Sequence, residues 1–179
     1  MTQAPLMDRI HITEDYDVPR VINGGWQLSA GHALERPLDL ADASRAFNRL
    51  IDMGFDTFDC ADIYTGVEDF FGGIIRERRK AGLRLPQIHT KFVPDLNDLA
   101  NVTPAYIENI ITRSLRRLGV ERLDAVQFHW WDYSVPGMVD VAGELVRLQE
   151  KGLIRLISTT NFNAVELRKL IDAGIPVAT

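Results

Sequence analysis

The chain has 179 residues, of which 46% are hydrophobic and 25% are charged, an ordinary composition for a globular domain. Its net charge of −5 argues against nucleic acid as a partner, because proteins that bind phosphate backbones carry basic patches. No stretch approaches the roughly 20 apolar residues that cross a bilayer, and the N-terminus lacks a signal-peptide pattern. We therefore expect no membrane association, and the single cysteine, Cys60, fits a reducing, cytoplasmic setting.

Short apolar runs recur along the chain, each bounded by glycine or polar residues. Intervals of about 30 residues between such runs suit repeated βαβ units. The six predicted strands begin near Arg20, Phe55, Ile88, Leu123, Leu153 and Ile175. Residues 1–19 stand outside this repeat, and we expect them to form an N-terminal extension whose extended pair closes one end of the sheet.

Helical periodicity fills the gaps between these strands. An apolar stripe over residues 40–51 predicts a first helix that ends before Gly54, a typical residue after a helix terminus. The second helix is predicted between residues 66 and 82, where the Gly72–Gly73 pair would weaken a helix by about 1 kcal/mol per glycine. A close helix–strand contact is the expected reason for that pair.

Three further helices are predicted downstream. Thr103 and Pro104 indicate the start of the third, as N-cap and first-turn proline, and Gly119 indicates its end. The fourth and fifth helices are predicted to end near Gly152 and Gly174.

Alternating strands and helices predict an α/β fold with a parallel sheet. Polar residues at the ends of successive parallel strands are typical of the (β/α)8, or TIM-barrel, architecture. Six strands and five helices do not close such a barrel, which takes about 250 residues. We expect an incomplete barrel over residues 20–179, which is either the first two-thirds of a longer protein or is completed by self-association at its open edge.

Four polar residues lie at or just past the ends of predicted strands: Asp59, Tyr64, Lys91 and His129. Together they could deliver one proton to a carbonyl oxygen. A Lys91 ammonium about 4 Å from the phenol would lower the pKa of Tyr64 enough for acid–base chemistry near neutral pH. Asp59 would keep that lysine charged, and His129 would orient the carbonyl group.

The reduction of a carbonyl group also needs a hydride, which no protein side chain supplies, so a nicotinamide cofactor is implied. Residues 159–163, after the fifth predicted strand, offer hydroxyl groups and a carboxamide suited to the nicotinamide amide. The Gly-x-Gly-x-x-Gly fingerprint is absent after the first strand, so a Rossmann-type site is not expected. No metal site is predicted.

Each of the four residues also has a structural interpretation. Asp59 could cap a helix or pair with an arginine, and Tyr64 and His129 could be core residues with satisfied polar atoms. Lys91 is the least easily explained in this way, because lysine is almost never fully buried unless it is paired. The two tryptophans that follow His129 could shape a substrate pocket or simply pack.

Residues 54–68 resemble the signature of the aldo-keto reductases, in which an aspartate and a tyrosine lie five residues apart. The resemblance continues in family order over residues 20–179. The other similar stretches are Gly24-Gly25-Trp26-Gln27-Leu28, His89-Thr90-Lys91, residues 113–124, Phe128-His129-Trp130 and residues 160–163.

This resemblance implies a (β/α)8 barrel that reduces aldehydes and ketones with NAD(P)H, and we expect NADP(H) rather than NAD(H). It implies that Asp59, Tyr64, Lys91 and His129 are the catalytic residues. The cofactor-binding residues that it implies are Gly25, Trp26, Asp59, Thr160 and Asn161, where threonine replaces the usual serine. A second interpretation remains open, in which the chain is a non-catalytic fragment or regulatory binding partner that retains the ancestral site.

Overall fold

The computed structural model describes residues 7–30 and 39–179, and residues 1–6 of the predicted extension lie outside that description. The strands are β1 (Arg9–Thr13), β2 (Tyr16–Pro19), β3 (Asn23–Gly24), β4 (Thr57–Asp59), β5 (Gln87–Phe92), β6 (Leu123–Phe128) and β7 (Ile154–Thr159). The helices are α1 (Leu40–Asp52), α2 (Val67–Lys80), α3 (Pro104–Leu118), α4 (Met138–Glu150) and α5 (Ala164–Asp172). The predicted alternation of strands and helices is confirmed.

Strands β3 to β7 form one parallel sheet in sequence order. Val177 adds a single parallel bridge to Ile157 at the place of the predicted sixth strand. Because neighbouring strands stay in register, Asp59 lies beside His89, and Lys91 lies beside Gln127. The result is an α/β fold of the TIM-barrel type, and within the described residues its sheet remains open.

The core lies between the sheet and its helices. Phe58 of β4 packs against Phe71 of α2, with ring centroids 5.2 Å apart, and against Phe47 of α1 at 5.1 Å. Complete burial of such a side chain stabilises the fold by about 1.5–3 kcal/mol. No helix within residues 7–30 and 39–179 is long and apolar enough to span a membrane.

The helix termini follow the predicted signals. Gly54 follows α1 with a φ of +96°, a left-handed conformation that glycine adopts without strain. The Thr103 hydroxyl accepts a hydrogen bond from the Tyr106 amide at 3.2 Å, and Gly119 ends α3 with a φ of +68°. These local signals fix the helix boundaries independently of tertiary contacts.

The glycine pair in α2 has a different partner from the one predicted. Gly72 faces α3, where an added Cβ atom would lie 2.0 Å from the carbonyl oxygen of Arg117. No described atom outside the helix backbone lies within 4 Å of a Cβ atom built on Gly73. The close contact is therefore between two helices, and only one of the two glycines requires it.

Gly72→Ala is expected to lower the free energy of unfolding by about 2 kcal/mol, because α2 and α3 must separate to admit the methyl group. Gly73→Ala is the matched control, and it should be neutral or stabilising by up to about 1 kcal/mol, since alanine favours the helix. Urea unfolding of the two variants measures both values. Equal effects of the two substitutions would contradict the assigned helix contact.

The extended pair predicted within residues 1–19 is confirmed as the antiparallel hairpin β1–β2. It lies against the N-terminal ends of the sheet strands. There Arg9 donates to Asp56 at 2.8 Å, and Arg155 donates to Asp15 at 2.9 Å. The Tyr16 hydroxyl reaches further in and lies 2.9 Å from Nε2 of His89. The hairpin thus covers the end of the sheet opposite to the predicted site.

The His89 imidazole makes folding pH-dependent, because burial lowers its pKa to about 4. In the unfolded chain the His89 imidazole binds a proton near pH 6.5. The stability that neutral His89 contributes is therefore fully present above pH 6.5 and is lost as the pH falls from there through about 4. From pH 7 to pH 4, the wild type should lose about 2 kcal/mol more than His89→Gln. Urea unfolding across this range measures the difference, and parallel curves would refute it.

Candidate active site

Asp59 and Lys91 form an ion pair at the C-terminal edge of the sheet. Asp59 ends β4, and Lys91 is the fifth residue of the adjacent strand β5. The lysine Nζ lies 2.6 Å from each carboxylate oxygen and 2.7 Å from the carbonyl oxygen of Cys60. Its side chain is 12% exposed, so these three acceptors explain how an ammonium group is held away from water.

Gln127 is a member of this cluster that the sequence reasoning missed. Its side-chain amide donates to the Asp59 carboxylate at 2.7 Å. The available signal was the position of Gln127 in β6, in register with Lys91 and between buried Val126 and Phe128. A polar residue between two buried apolar residues of a strand indicates a polar partner across the sheet.

Tyr64 lies in the loop of residues 60–66 that joins β4 to α2, here called the Tyr64 loop. The ammonium of Lys91 sits 5.2 Å from the centroid of its ring, a cation–π contact. Burial raises the pKa of Tyr64, and the negative charge of Asp59 raises it further. The predicted lowering of this pKa is therefore wrong for this structure, because the charge of Lys91 is engaged by Asp59.

His129 follows β6 and faces the same edge of the sheet. Its Nδ1 atom lies 3.3 Å from the carbonyl oxygen of Thr160, and its ring stands perpendicular to that of Trp131 at 4.4 Å. Since a carbonyl oxygen only accepts, Nδ1 carries the proton of this bond. The buried Nε2 atom has no hydrogen-bond partner among the described residues, so it is available to a polar group that enters the site.

The two tryptophans after β6 have different surroundings. Trp130 is fully buried and donates to the carbonyl oxygen of Val135 at 3.2 Å, which is ordinary packing. Trp131 is 48% exposed and donates to the carbonyl oxygen of Pro94 at 2.8 Å while it contacts His129. Of the two, only Trp131 borders the candidate site.

The predicted cofactor residues flank this cluster on both sides. The Gly25 amide donates to the carbonyl oxygen of Asp59 at 2.8 Å, and a Cβ atom there would lie 3.0 Å from that oxygen. Trp26 follows Gly25 and is 47% exposed. Thr160 and Asn161 follow β7, and Asn161 has a φ of +61°, a conformation uncommon outside glycine. The structure therefore places both predicted groups at the edge that carries Asp59 and His129.

A sequence profile described as the Aldo/keto reductase family matches residues 20–179. The chain belongs to this family. It is 29% identical over 174 residues to methylglyoxal reductase DkgA of Yersinia pestis, an alignment that covers 96% of this chain and 54% of that protein. It is also 29% identical over 171 residues to a chloroplastic pyridoxal reductase of Arabidopsis thaliana, covering 87% of this chain and 43% of the relative.

Solved structures agree on the fold. The aldo-keto reductase AKR11C1 from Bacillus halodurans aligns with a TM-score of 0.73 and 21% identity, over 93% of this chain and 54% of the other. The thermostable aldo-keto reductase Tm1743 aligns with a TM-score of 0.76 and 21% identity, over 96% and 61% respectively. The chain spans about half the length of the curated relatives it matches. At this identity the structural likeness establishes the TIM-barrel type of the fold.

Proposed function

We propose that this chain carries the catalytic residues of an NAD(P)H-dependent reductase that converts aldehydes or ketones to alcohols. Tyr64 is the general acid, and Asp59, Lys91 and His129 complete the catalytic set. The single observation that carries the proposal is the position of the Lys91 ammonium, 2.6 Å from Asp59 and 5.2 Å from the Tyr64 ring centroid. A phenol, a held positive charge and an imidazole then share one edge of the sheet.

Each side chain has a distinct part in the proposed reaction. When bound, NAD(P)H would supply the hydride for this reduction. The Tyr64 hydroxyl gives its proton to the carbonyl oxygen, and its raised pKa keeps it protonated until the oxygen becomes basic. The Lys91 ammonium, paired with Asp59, contacts the Tyr64 ring and so holds the phenol at this edge of the sheet. His129 holds the carbonyl oxygen through its unpaired Nε2 atom, as a donor when the ring is protonated.

The residues at the edge of the sheet fit a nicotinamide cofactor. A side chain at Gly25 would crowd the carbonyl oxygen of Asp59 and the side chains of Phe71 and Val67, so glycine lets this segment pack closely beside Asp59 and places Trp26 at the same edge. Thr160 and Asn161 offer a hydroxyl group and a carboxamide for the amide of the nicotinamide. Trp26, beside Gly25, would border the same ring. On the strength of the family resemblance, we take NADP(H) rather than NAD(H) as the cofactor.

The same proposal extends to substrate, location and assembly. Two relatives are named for the reduction of methylglyoxal and pyridoxal, so small aldehydes are the first substrates to test. A cytoplasmic location is consistent with the single, buried cysteine Cys60. Along the far edge of β7, residues 177–179 pair with Ile157 and Thr159, and self-association there would pair the backbone groups that stay free among the described residues.

Titration of the 179-residue chain with NADPH, followed by the quenching of tryptophan fluorescence, tests the proposal. We expect saturable quenching because Trp26 lies beside the proposed cofactor site. Consumption of NADPH with methylglyoxal or pyridoxal should follow. A folded chain that binds no NADPH would contradict the proposal and would favour the non-catalytic binding role.

A further inference from the structure

We propose that Asp62 is a positioning residue for Tyr64. Its buried carboxyl group anchors the Tyr64 loop to the end of β5, and a proton on that carboxyl group tightens the anchor. The role of Tyr64 as general acid rests on the function proposed above. The anchoring of the loop rests only on the contacts of Asp62.

The contacts of Asp62 hold the loop from two directions. The side chain is 1% exposed, and its Oδ1 atom accepts a hydrogen bond from the Val93 amide, directly after β5, at 3.2 Å. The backbone carbonyl oxygen of Asp62 accepts from Arg117 of α3 at 3.1 Å. One turn later, the Tyr64 amide donates to the carbonyl oxygen of Ala61 at 3.1 Å. The position of the phenol therefore depends on a segment that Asp62 fixes to β5 and α3.

The charge balance around Asp62 is unfavourable to its ionised form. Glu68 of α2 is a second fully buried carboxylate, which accepts from the Thr90 hydroxyl at 2.7 Å and pairs with Arg117 at 3.2 Å. The nearest cation to the Asp62 side chain is Arg113, whose Nη2 atom is 3.3 Å from Oδ2. That contact is long for an ion pair with a buried carboxylate.

A polar cavity beside the loop gives this carboxyl group a path for proton exchange. The cavity has a volume of about 400 Å³, and Asp62 and Arg113 are among the residues that line it. Asp95, Tyr106 and Arg117 are the other titratable groups that line it, and the Tyr106 hydroxyl accepts from the Asp95 amide at 3.0 Å. The Nε atom of Arg113 is buried and unpaired in the part of the chain that the structure describes. Arg113 thus pairs with Asp62 through one guanidinium nitrogen, at 3.3 Å, and makes no second hydrogen bond to it within the described residues.

The direction of the pH effect follows from this environment. Burial, and then the charge of Glu68, raises the pKa of Asp62 to about 7, whereas a released loop would expose it with an ordinary pKa near 3.9. The anchored loop therefore binds the proton more tightly than the released loop. By linkage, the anchor is strongest below about pH 4 and weakens as the pH rises to about 7.

Amide hydrogen exchange of residues 60–66, corrected for the intrinsic rate at each pH, tests the anchor without any need for turnover. In the wild type, loop opening should increase at least about tenfold between pH 4.5 and pH 7.5. Asp62→Asn keeps an acceptor for Val93 and cannot ionise, so its loop should stay protected across this range. Asp62→Ala lacks the acceptor and should exchange rapidly at both pH values.

Asp124→Asn is the matched control, because the partly buried Asp124 carboxylate accepts from the Ile88 amide at 2.9 Å at the opposite end of the sheet. It should leave exchange of the Tyr64 loop unchanged. If the chain reduces aldehydes, the kcat of the wild type should fall between pH 4.5 and pH 7.5 as its loop opens, and the kcat of Asp62→Asn should not. The affinity of both proteins for NADPH should stay constant over this range. Loop protection in Asp62→Ala equal to that of the wild type would overturn the proposal, as would a wild-type pH profile in Asp62→Asn. An inactive chain would count only against the proposed function.

Discussion

Tyr64→Phe is expected to lower the rate of carbonyl reduction by about 10²–10⁴-fold, the usual contribution of a general acid. The substitution removes the hydroxyl group and keeps the ring, so the cation–π contact with Lys91 at 5.2 Å is retained. Burial and the charge of Asp59 both raise the pKa of Tyr64, so the phenol is a protonated donor throughout the neutral range. The loss should therefore appear in kcat, measured from NADPH consumption with methylglyoxal.

Two controls separate this effect from damage to the fold. Tyr106→Phe removes a hydroxyl group that contacts Asp95 outside the catalytic set, and it should leave kcat near that of the wild type. The dissociation constant for NADPH should change little in Tyr64→Phe, because the proposed cofactor contacts lie at Gly25, Thr160 and Asn161. A variant that retained most of its turnover would exclude Tyr64 as the proton donor.

Local signals in the sequence were sufficient for most of the fold. The helix that begins at Thr103 and Pro104 and the turn at Gly54 are set by hydrogen bonds and backbone angles within a few residues. Regular spacing placed the parallel strands, and the register sets Asp59 beside His89, so that Lys91, two residues further along β5, lies near the end of the same edge. Helix boundaries and strand positions depend on residues that are close in the sequence or regularly spaced along it, so they can be predicted from the sequence directly.

The remainder depends on distances between elements that are far apart in the sequence. Gly72 contacts α3 because two helices approach closely there, and nothing in α2 identifies that neighbour. The sequence predicts the wrong direction for the pKa of Tyr64, because nothing in it shows whether the charge of Lys91 lies against the hydroxyl group or against Asp59. In the structure that charge lies against Asp59 and faces the phenol ring. Gln127 was missed since its partner, Asp59, is 68 residues away.

Lys91→Met is expected to lower the free energy of unfolding by about 3 kcal/mol. Removing one partner of a buried ion pair leaves the other charge uncompensated, which costs about 3–5 kcal/mol. We expect the lower value of this range because the Asp59 side chain is 32% exposed and still accepts a hydrogen bond from Gln127. Urea unfolding at neutral pH gives this value. Lys151→Met, which removes a half-exposed lysine 3.6 Å from Glu108, should cost no more than about 1 kcal/mol.

The double variant Asp59→Asn/Lys91→Met separates charge imbalance from lost packing. With the carboxylate neutral, the asparagine can still accept from Gln127, and no charge remains unpaired at the end of β4. The double variant should therefore be more stable than Lys91→Met alone, although it carries one more substitution. This sign of the coupling is specific to an ion pair, because two independent packing defects would add. Additive losses would mean that Lys91 stabilises the fold through its aliphatic chain and that its charge is not held by Asp59.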